Sequence, residues 1–144
     1  MSSSNGVHKA ATREAIMAAK VDLRSEWVDV PGWPGGGVFV RQMTGVDRDR
    51  MDCEERKRRG DDPDSPDPFA LVNYRARLLT KCLVNESGER IFRDEDAEWL
   101  GNQPNPILER LTDKALELNH ITDSALEEAE KNSESGQSGD SGSA

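Results

Sequence analysis

The chain has 144 residues, of which 19 are basic and 28 are acidic, so its formal net charge is −9. This length is enough for one small domain that buries a core without disulfides or metals. The acidic balance argues against a general nucleic-acid-binding protein, because the field of the whole molecule would repel phosphates. No apolar run approaches the roughly 18 residues of a membrane span, and the N-terminus lacks the apolar segment of a signal peptide. We therefore expect an intracellular protein without membrane contact.

The cysteines and histidines do not form a pattern that would hold a metal. Cys53 and Cys82 are too far apart for a CxxC unit, and His8 and His120 lie at no metal-ligand spacing from them. We expect two reduced thiols, with Cys82 buried, and no cofactor. A disulfide between them is the less favoured alternative.

The rest of the chain is organised around residues 68–101. Asp67 is a plausible N-cap and Pro68 suits a first helical position. The apolar residues that follow recur at helical spacing: Leu71, Val72, Tyr74, Leu78, Leu79, Cys82 and Leu83. A helix from Pro68 is therefore expected, with Arg75, Arg77 and Lys81 on its opposite, polar side.

A second short hairpin should follow this helix. Asn85–Gly88 is a turn, and residues 89–92 form an extended run that can pair back on Leu83–Val84. Asp94 is expected to cap a brief helix that Gly101 ends as a left-handed C-cap. The dense carboxylates at its start fit capping better than acid–base chemistry.

The N-terminal part predicts a helix followed by a hairpin. Residues 1–8 read as a disordered leader, and Thr12 as the N-cap of a short helix ending at Ala18. Two apolar runs beginning at Trp27 and Val38 flank a Gly/Pro loop, which is typical of an antiparallel hairpin. The three glycines of that loop lack the lysine and helix context of a phosphate-binding loop.

The next helix is expected to begin with a capping box at Thr44–Asp47 and to end near Arg59. Its last turn carries four basic residues, Arg56–Arg59. They support an alternative reading of the protein as a small DNA-associated regulator, but acids flank them and no aromatic residue interleaves them. A solvated helix end complementing the helix dipole is the preferred interpretation.

The remaining segments complete one domain, predicted over residues 9–131. The segment Gly60–Asp67 is a loop, since its four Asp residues do not match an EF-hand spacing. Asn105 should cap a four-turn amphipathic helix, and a last helix beginning near Thr122 would present Leu126. Residues 132–144 form an acidic Gly/Ser tail expected to be disordered. The fold class is α+β and mostly helical, with the hairpin packed on a small helical bundle.

The sequence offers few candidate catalytic residues, because no nucleophile–base pattern is present and histidines are scarce. The three tryptophans are more informative. Trp99 is expected in the core. Trp33 stands in the Gly/Pro loop, where it either covers an edge of the core or anchors a partner.

The order of these motifs resembles a known family. The hairpin reads W-V-D-V-P-x-W-x-G-G-x-V-x-V-R and is followed by T-G-V-D-R-D, L-L-x-x-C-L-V, N-E-S-G-E-R-I-F-x-D-E-D, W-L-G and L-x-L-N. In this order they resemble the tail assembly chaperones of long-tailed bacteriophages, the XkdN-like group in particular. The resemblance covers roughly residues 12–131.

The resemblance implies a non-enzymatic protein that binds the phage tape-measure protein and keeps it soluble until tail-tube subunits polymerise around it. It also implies a place in the host cytoplasm, absence from the mature virion, and the tail-tube protein as a further partner. A holdase needs exposed apolar surface and enough charge to stay soluble. We expect Trp33, Phe39 and Leu126 to contribute to the client-binding surface.

Overall fold

A computed structural model describes residues 8–122 of the chain. Strands β1 (Ser25–Asp29) and β2 (Gly37–Arg41) form the predicted antiparallel hairpin, and β3 (Leu83–Val84) pairs antiparallel with β2. The strand order is therefore β1-β2-β3, so β2 is the central strand. Five α-helices accompany this sheet in the described part of the chain: α1 (Arg13–Ala18), α2 (Gly45–Arg59), α3 (Tyr74–Cys82), α4 (Ala97–Gly101) and α5 (Asn105–Leu118). The predicted α+β, mostly helical class is confirmed.

Alternation along the strands separates an inner face of the sheet from an outer one. Val28 pairs with Val38, and Val40 pairs with Leu83. These four side chains are buried in the core together with α3 and α5. Residues one position along each strand point the other way, so Trp27, Phe39 and Val84 form one cross-strand row on the outer face.

Two threonine caps start helices where the sequence places them. The Thr12 Oγ1 accepts the Ala15 N–H at 3.1 Å, and the Thr44 Oγ1 accepts the Asp47 N–H at 3.1 Å. Each bond satisfies one amide that has no partner within its helix. Helix α1 nevertheless buries none of its residues, whereas α2 buries Met51 and Glu55.

The expected helix start at Pro68 is wrong, because α3 begins only at Tyr74. Asp67 does accept the Phe69 N–H at 2.9 Å, but this bond belongs to a series of tight turns. The Val72 N–H bonds to the Phe69 carbonyl at 3.0 Å, and Asn73 then adopts a left-handed conformation with φ of 70°. That conformation ends the turns and allows the helix to start afresh.

The expected polar face of α3 is also wrong for two of its three cations. Arg77 and Lys81 are buried, at 8% and 4% exposed. Arg77 meets the buried carboxylate of Glu55 on α2. Lys81 lies near the carboxylates of Glu54 and Asp94, at 3.4 and 3.5 Å. Because both cations find carboxylates, α3 can be enclosed on its polar side as well.

The second hairpin is present in small form. Val84 bridges to Arg90, and the Ile91 N–H donates to the Leu83 carbonyl at 3.1 Å. The Asn85 Oδ1 organises the turn by accepting the Ser87 N–H at 2.9 Å and the Glu89 N–H at 3.0 Å. The predicted turn is thus an Asx turn, in which the Asn85 side chain bonds to the backbone.

Three details of the segment after this hairpin differ from expectation. A short 3₁₀ turn (Asp94–Asp96) precedes α4, and it is the Asp96 carboxylate that accepts the Arg93 N–H, at 2.8 Å. Asp94 instead accepts from the Arg90 guanidinium at 2.7 Å. Gly101 is the last residue of α4 and is not left-handed; a Cβ there would collide with the Asn73 side chain. Gly101 therefore serves close packing.

Helix α5 carries the predicted apolar stripe into the core through Leu108, Leu111, Ala115 and Leu118. Pro104, rather than Asn105, holds its N-cap position, and Pro106 lies in its first turn. Gly60–Asp67 is a loop as expected. The predicted tail, Leu126 and nearly all of the predicted leader and last helix lie outside the described residues.

Candidate partner-binding surfaces

The outer face of the sheet presents an aromatic pair to solvent. Trp27 and Phe39 lie opposite each other in the β1–β2 register, with ring centroids 5.1 Å apart and an interplanar angle of 73°. This edge-to-face arrangement is favourable for aromatic pairs. Trp27 is still 45% exposed. The pair is therefore ordered by its own contacts while its surface stays available to a partner.

The Trp27 ring is fixed from two further sides. Its Nε1–H donates to the Asp29 Oδ1 at 2.8 Å. The ring lies close over Gly37, where an added Cβ would stand 2.7 Å from the Trp27 Cζ2. Gly37 thus leaves room for the indole on the outer face, a reason for a glycine within a strand. A preset aromatic ring loses little conformational entropy on binding.

A groove of about 440 Å³ lies beside this pair on the outer face. We call it the outer groove. Leu23, Phe39 and Val84 supply its apolar lining, and Asp22 and the Asn85–Gly88 turn form its rims. The segment before β1 is held in place because the Gln42 Oε1 accepts the Arg24 N–H at 2.9 Å, and the Gln42 N–H donates to the Arg24 carbonyl at 2.8 Å.

The charges in the outer groove are unequal. The Arg41 guanidinium is committed to the Asp47 carboxylate at 2.9 Å and to the Lys81 carbonyl at 3.0 and 3.1 Å. Asp22 and Glu86 are exposed, and no ion pair joins either of them to another described residue. The free charge at this site is therefore negative.

A second apolar surface surrounds Trp99, which the sequence places in the core. Trp99 is 56% exposed and stacks on Phe92 at 6.0 Å with an interplanar angle of 26°. Phe69 and Val72, exposed at 73% and 64%, belong to the turns before α3. These turns contact α4, because the Asn73 Nδ2 donates to the Ala97 carbonyl at 3.0 Å. We call the stacked pair of Phe92 and Trp99 the Trp99 surface.

Two of the three residues expected to bind a partner, Trp33 and Phe39, lie in the described part of the chain, at different places. Phe39 belongs to the outer face. Trp33 packs against the core cluster, and its Nε1–H donates to the Gln103 Oε1 at 3.3 Å, which ties the hairpin loop to the segment before α5. Leu126 lies outside the described residues. The exposed residues Trp27 and Trp99 were not among those expected to bind a partner, and Trp99 was expected in the core. Strand alternation could have indicated Trp27, because it lies one position from the buried Val28 and therefore on the other face.

An ion pair joins α5 to the outer edge strand β1. The Lys114 ammonium donates to the Glu26 carboxylate at 2.8 Å and to the Glu117 carboxylate at 3.0 Å. The bond from Lys114 lowers the pKa of Glu26 below its ordinary value, and the bond to Glu26 raises the pKa of Lys114. Both groups therefore remain charged near neutral pH, and their ion pair keeps β1 attached to α5.

The basic end of α2 is exposed at Arg56, Lys57 and Arg58. Arg58 approaches the Glu55 carboxylate at 3.9 Å.

Between residues 8 and 122, no group of three or more His, Cys, Asp or Glu side chains is placed to hold a metal ion. No helix in that range is long and apolar enough to cross a membrane.

The fold and these surfaces define a small α+β protein whose ordered aromatic side chains are suited to protein–protein contact. The chain matches the family model of phage tail assembly chaperones over residues 11–132, and it belongs to that family. Its fold is similar to the structure of the bacteriophage HK97 tail assembly chaperone, with a TM-score of 0.52 and 22% sequence identity. That match covers 76% of this chain and 94% of the other. The comparison with curated proteins found no match. Family membership points to a role in the assembly of phage tails.

Proposed function

We propose that this chaperone binds the phage tape-measure protein in the host cytoplasm and keeps it soluble until tail-tube subunits polymerise, without remaining in the mature virion. The observation that carries the proposal is the exposed aromatic pair Trp27–Phe39 on the outer face. A tape-measure protein is long and helical, so it exposes apolar stripes before assembly. An ordered apolar face on the chaperone can cover such stripes.

The energetics suit a reversible holder. Covering one large apolar side chain contributes about 1.5–3 kcal/mol, and ordering costs oppose this gain. A few such contacts give binding that later assembly steps can displace. The net charge of −9 keeps the chaperone and its complex from self-associating while apolar surface is exposed.

We place Phe39, with Trp27 beside it, at the centre of the client contact. Trp33 and Leu126 complete the proposed set. The Trp33 ring stands at the loop end of the hairpin and is only partly buried. The tail-tube protein is the second partner that we propose, since release of the client must coincide with polymerisation around it.

The test is co-expression of the tape-measure protein with this chain, measuring the soluble fraction of the client. We expect soluble client with the natural chain and a marked loss with Trp27→Ser combined with Phe39→Ser. Val46→Ser is the matched control, because Val46 is 59% exposed on α2 and does not line the outer groove. Client solubility that does not depend on this chain contradicts the proposed function.

A further inference from the structure

We infer that the outer groove selects its partner by charge as well as by shape: it takes an apolar side chain of an amphipathic helix that is flanked by Lys or Arg. This inference rests on the proposed function and specifies the segments of the client that this face recognises.

The apolar lining of the outer groove indicates that an apolar side chain binds there. Val84 is 1% exposed although it lies outside the core cluster, so it forms a closed floor. Phe39 forms one wall, and Leu23, which is 39% exposed, lies on the other side. An apolar side chain entering between them exchanges water contacts for packing on both sides.

The charge of the groove rim indicates that Lys or Arg flanks this side chain. Asp22 and Glu86 both line the groove and carry uncompensated negative charge. Arg41, which also lines it, is neutralised by Asp47 and its side chain is only 12% exposed. A cation flanking the inserted side chain would meet carboxylates, whereas an acidic residue there would be repelled.

The sheet topology explains why the occupant is a helix. β2 lies under the groove and pairs with β1 on one side and with β3 on the other. A client strand could not add to β2 at Phe39 and Val40, because β1 and β3 already pair with both of these residues. The occupant must therefore bind through side chains while its own backbone bonds are satisfied internally, which a helix achieves.

The experiment uses three labelled peptides of about 18 residues with the same Leu/Phe stripe and with Lys, Gln or Glu at the flanking positions. Fluorescence anisotropy with the full chain at low salt gives each Kd. We expect the Lys peptide to bind roughly tenfold more tightly than the Glu peptide, with the Gln peptide between them. Leu23→Ser should weaken binding of all three, since it removes an apolar wall.

The local origin of the preference is tested by charge removal. The double variant Asp22→Asn, Glu86→Gln should reduce the Lys/Glu ratio by about threefold or more. The matched control is Glu95→Gln, Glu98→Gln, which removes the same charge from two exposed positions beside the Trp99 surface. An equal reduction in both double variants, or none in the groove variant, overturns the inference.

The two proposals fail separately. If the client is kept soluble but the groove variant keeps its full Lys/Glu ratio, the charge selection is wrong and the chaperone function stands. If the peptides behave as expected while the client is insoluble with the natural chain, the groove stands and the proposed function fails.

Discussion

Glu55 and Arg77 form a bidentate ion pair buried between α2 and α3. The Arg77 Nε donates to the Glu55 Oε2 at 2.6 Å, and its Nη2 donates to the Oε1 at 2.7 Å. Each residue is only 8% exposed. The guanidinium also donates to the Val72 carbonyl at 2.8 Å and to the Ala70 carbonyl at 3.0 Å. One side chain thus joins two helices and the turns that precede α3.

Removing one partner of this pair should be costly. Glu55→Gln leaves a buried guanidinium without its counter-charge, so we expect unfolding free energy to fall by about 3–5 kcal/mol. Urea denaturation followed by circular dichroism measures the loss. Asp52→Asn on the same helix is the control: its i,i+4 pair with Arg48 is exposed, so the change should cost less than about 1 kcal/mol. Equal losses of unfolding free energy in the two variants would show that the buried Glu55–Arg77 pair stabilises the protein no more than an exposed pair does.

The two thiols should differ in reactivity. Cys53 is exposed, whereas burial raises the pKa of the Cys82 thiol to about 12. The thiolate is the reactive form, so at mildly alkaline pH a thiol reagent should modify one cysteine in the folded chain and both after denaturation. Cys53→Ser should abolish the reaction of the folded chain. Prompt modification of that variant would mean that the core around Cys82 opens readily.

Asp94 should contribute stability that depends on acid pH. The hydrogen bond from Arg90 lowers its pKa below the ordinary value of 3.8, and Lys81 adds to this effect. The contribution is therefore present above the unfolded-state pKa and is lost as the pH falls through the folded-state pKa. Asp94→Asn should lower stability at pH 7 by at most about 1 kcal/mol, since the carboxylate is 58% exposed. The difference from the natural chain should vanish in strong acid; a difference that persists there would point to packing instead of charge.

Two glycines should respond oppositely to alanine. At Gly101 a Cβ meets the Asn73 side chain, so Gly101→Ala should destabilise the protein by about 1–3 kcal/mol. At Gly45, in the first turn of α2, no atom lies within 4 Å of an added Cβ. Gly45→Ala should therefore be neutral or stabilise by up to about 1 kcal/mol. Thermal unfolding of both variants decides the matter, and a stabilising Gly101→Ala would contradict the close contact with Asn73.

Sequence reasoning succeeded where the signal is local. Thr12 and Thr44 cap their helices, Asn85 organises its turn, and the Gly/Pro loop joins two strands, because each of these depends on bonds within a few residues. The outer groove was not predictable in this way. It is formed by Leu23, Phe39 and Val84, which are distant in sequence and become neighbours only when β3 pairs with β2.

The sequence by itself determined the order of helices and strands, the apolar stripe of α5, and the motif series that resembles tail assembly chaperones. Only the tertiary structure decided that α3 begins at Tyr74 and that its cations are buried. In a helix starting at Pro68, the carbonyls of Ala70 and Val72 would accept amides four residues later. They accept the Arg77 guanidinium instead, because Glu55, on a different helix, holds that guanidinium in place. Helical periodicity describes one segment at a time, so it could not register a charge contributed by another helix.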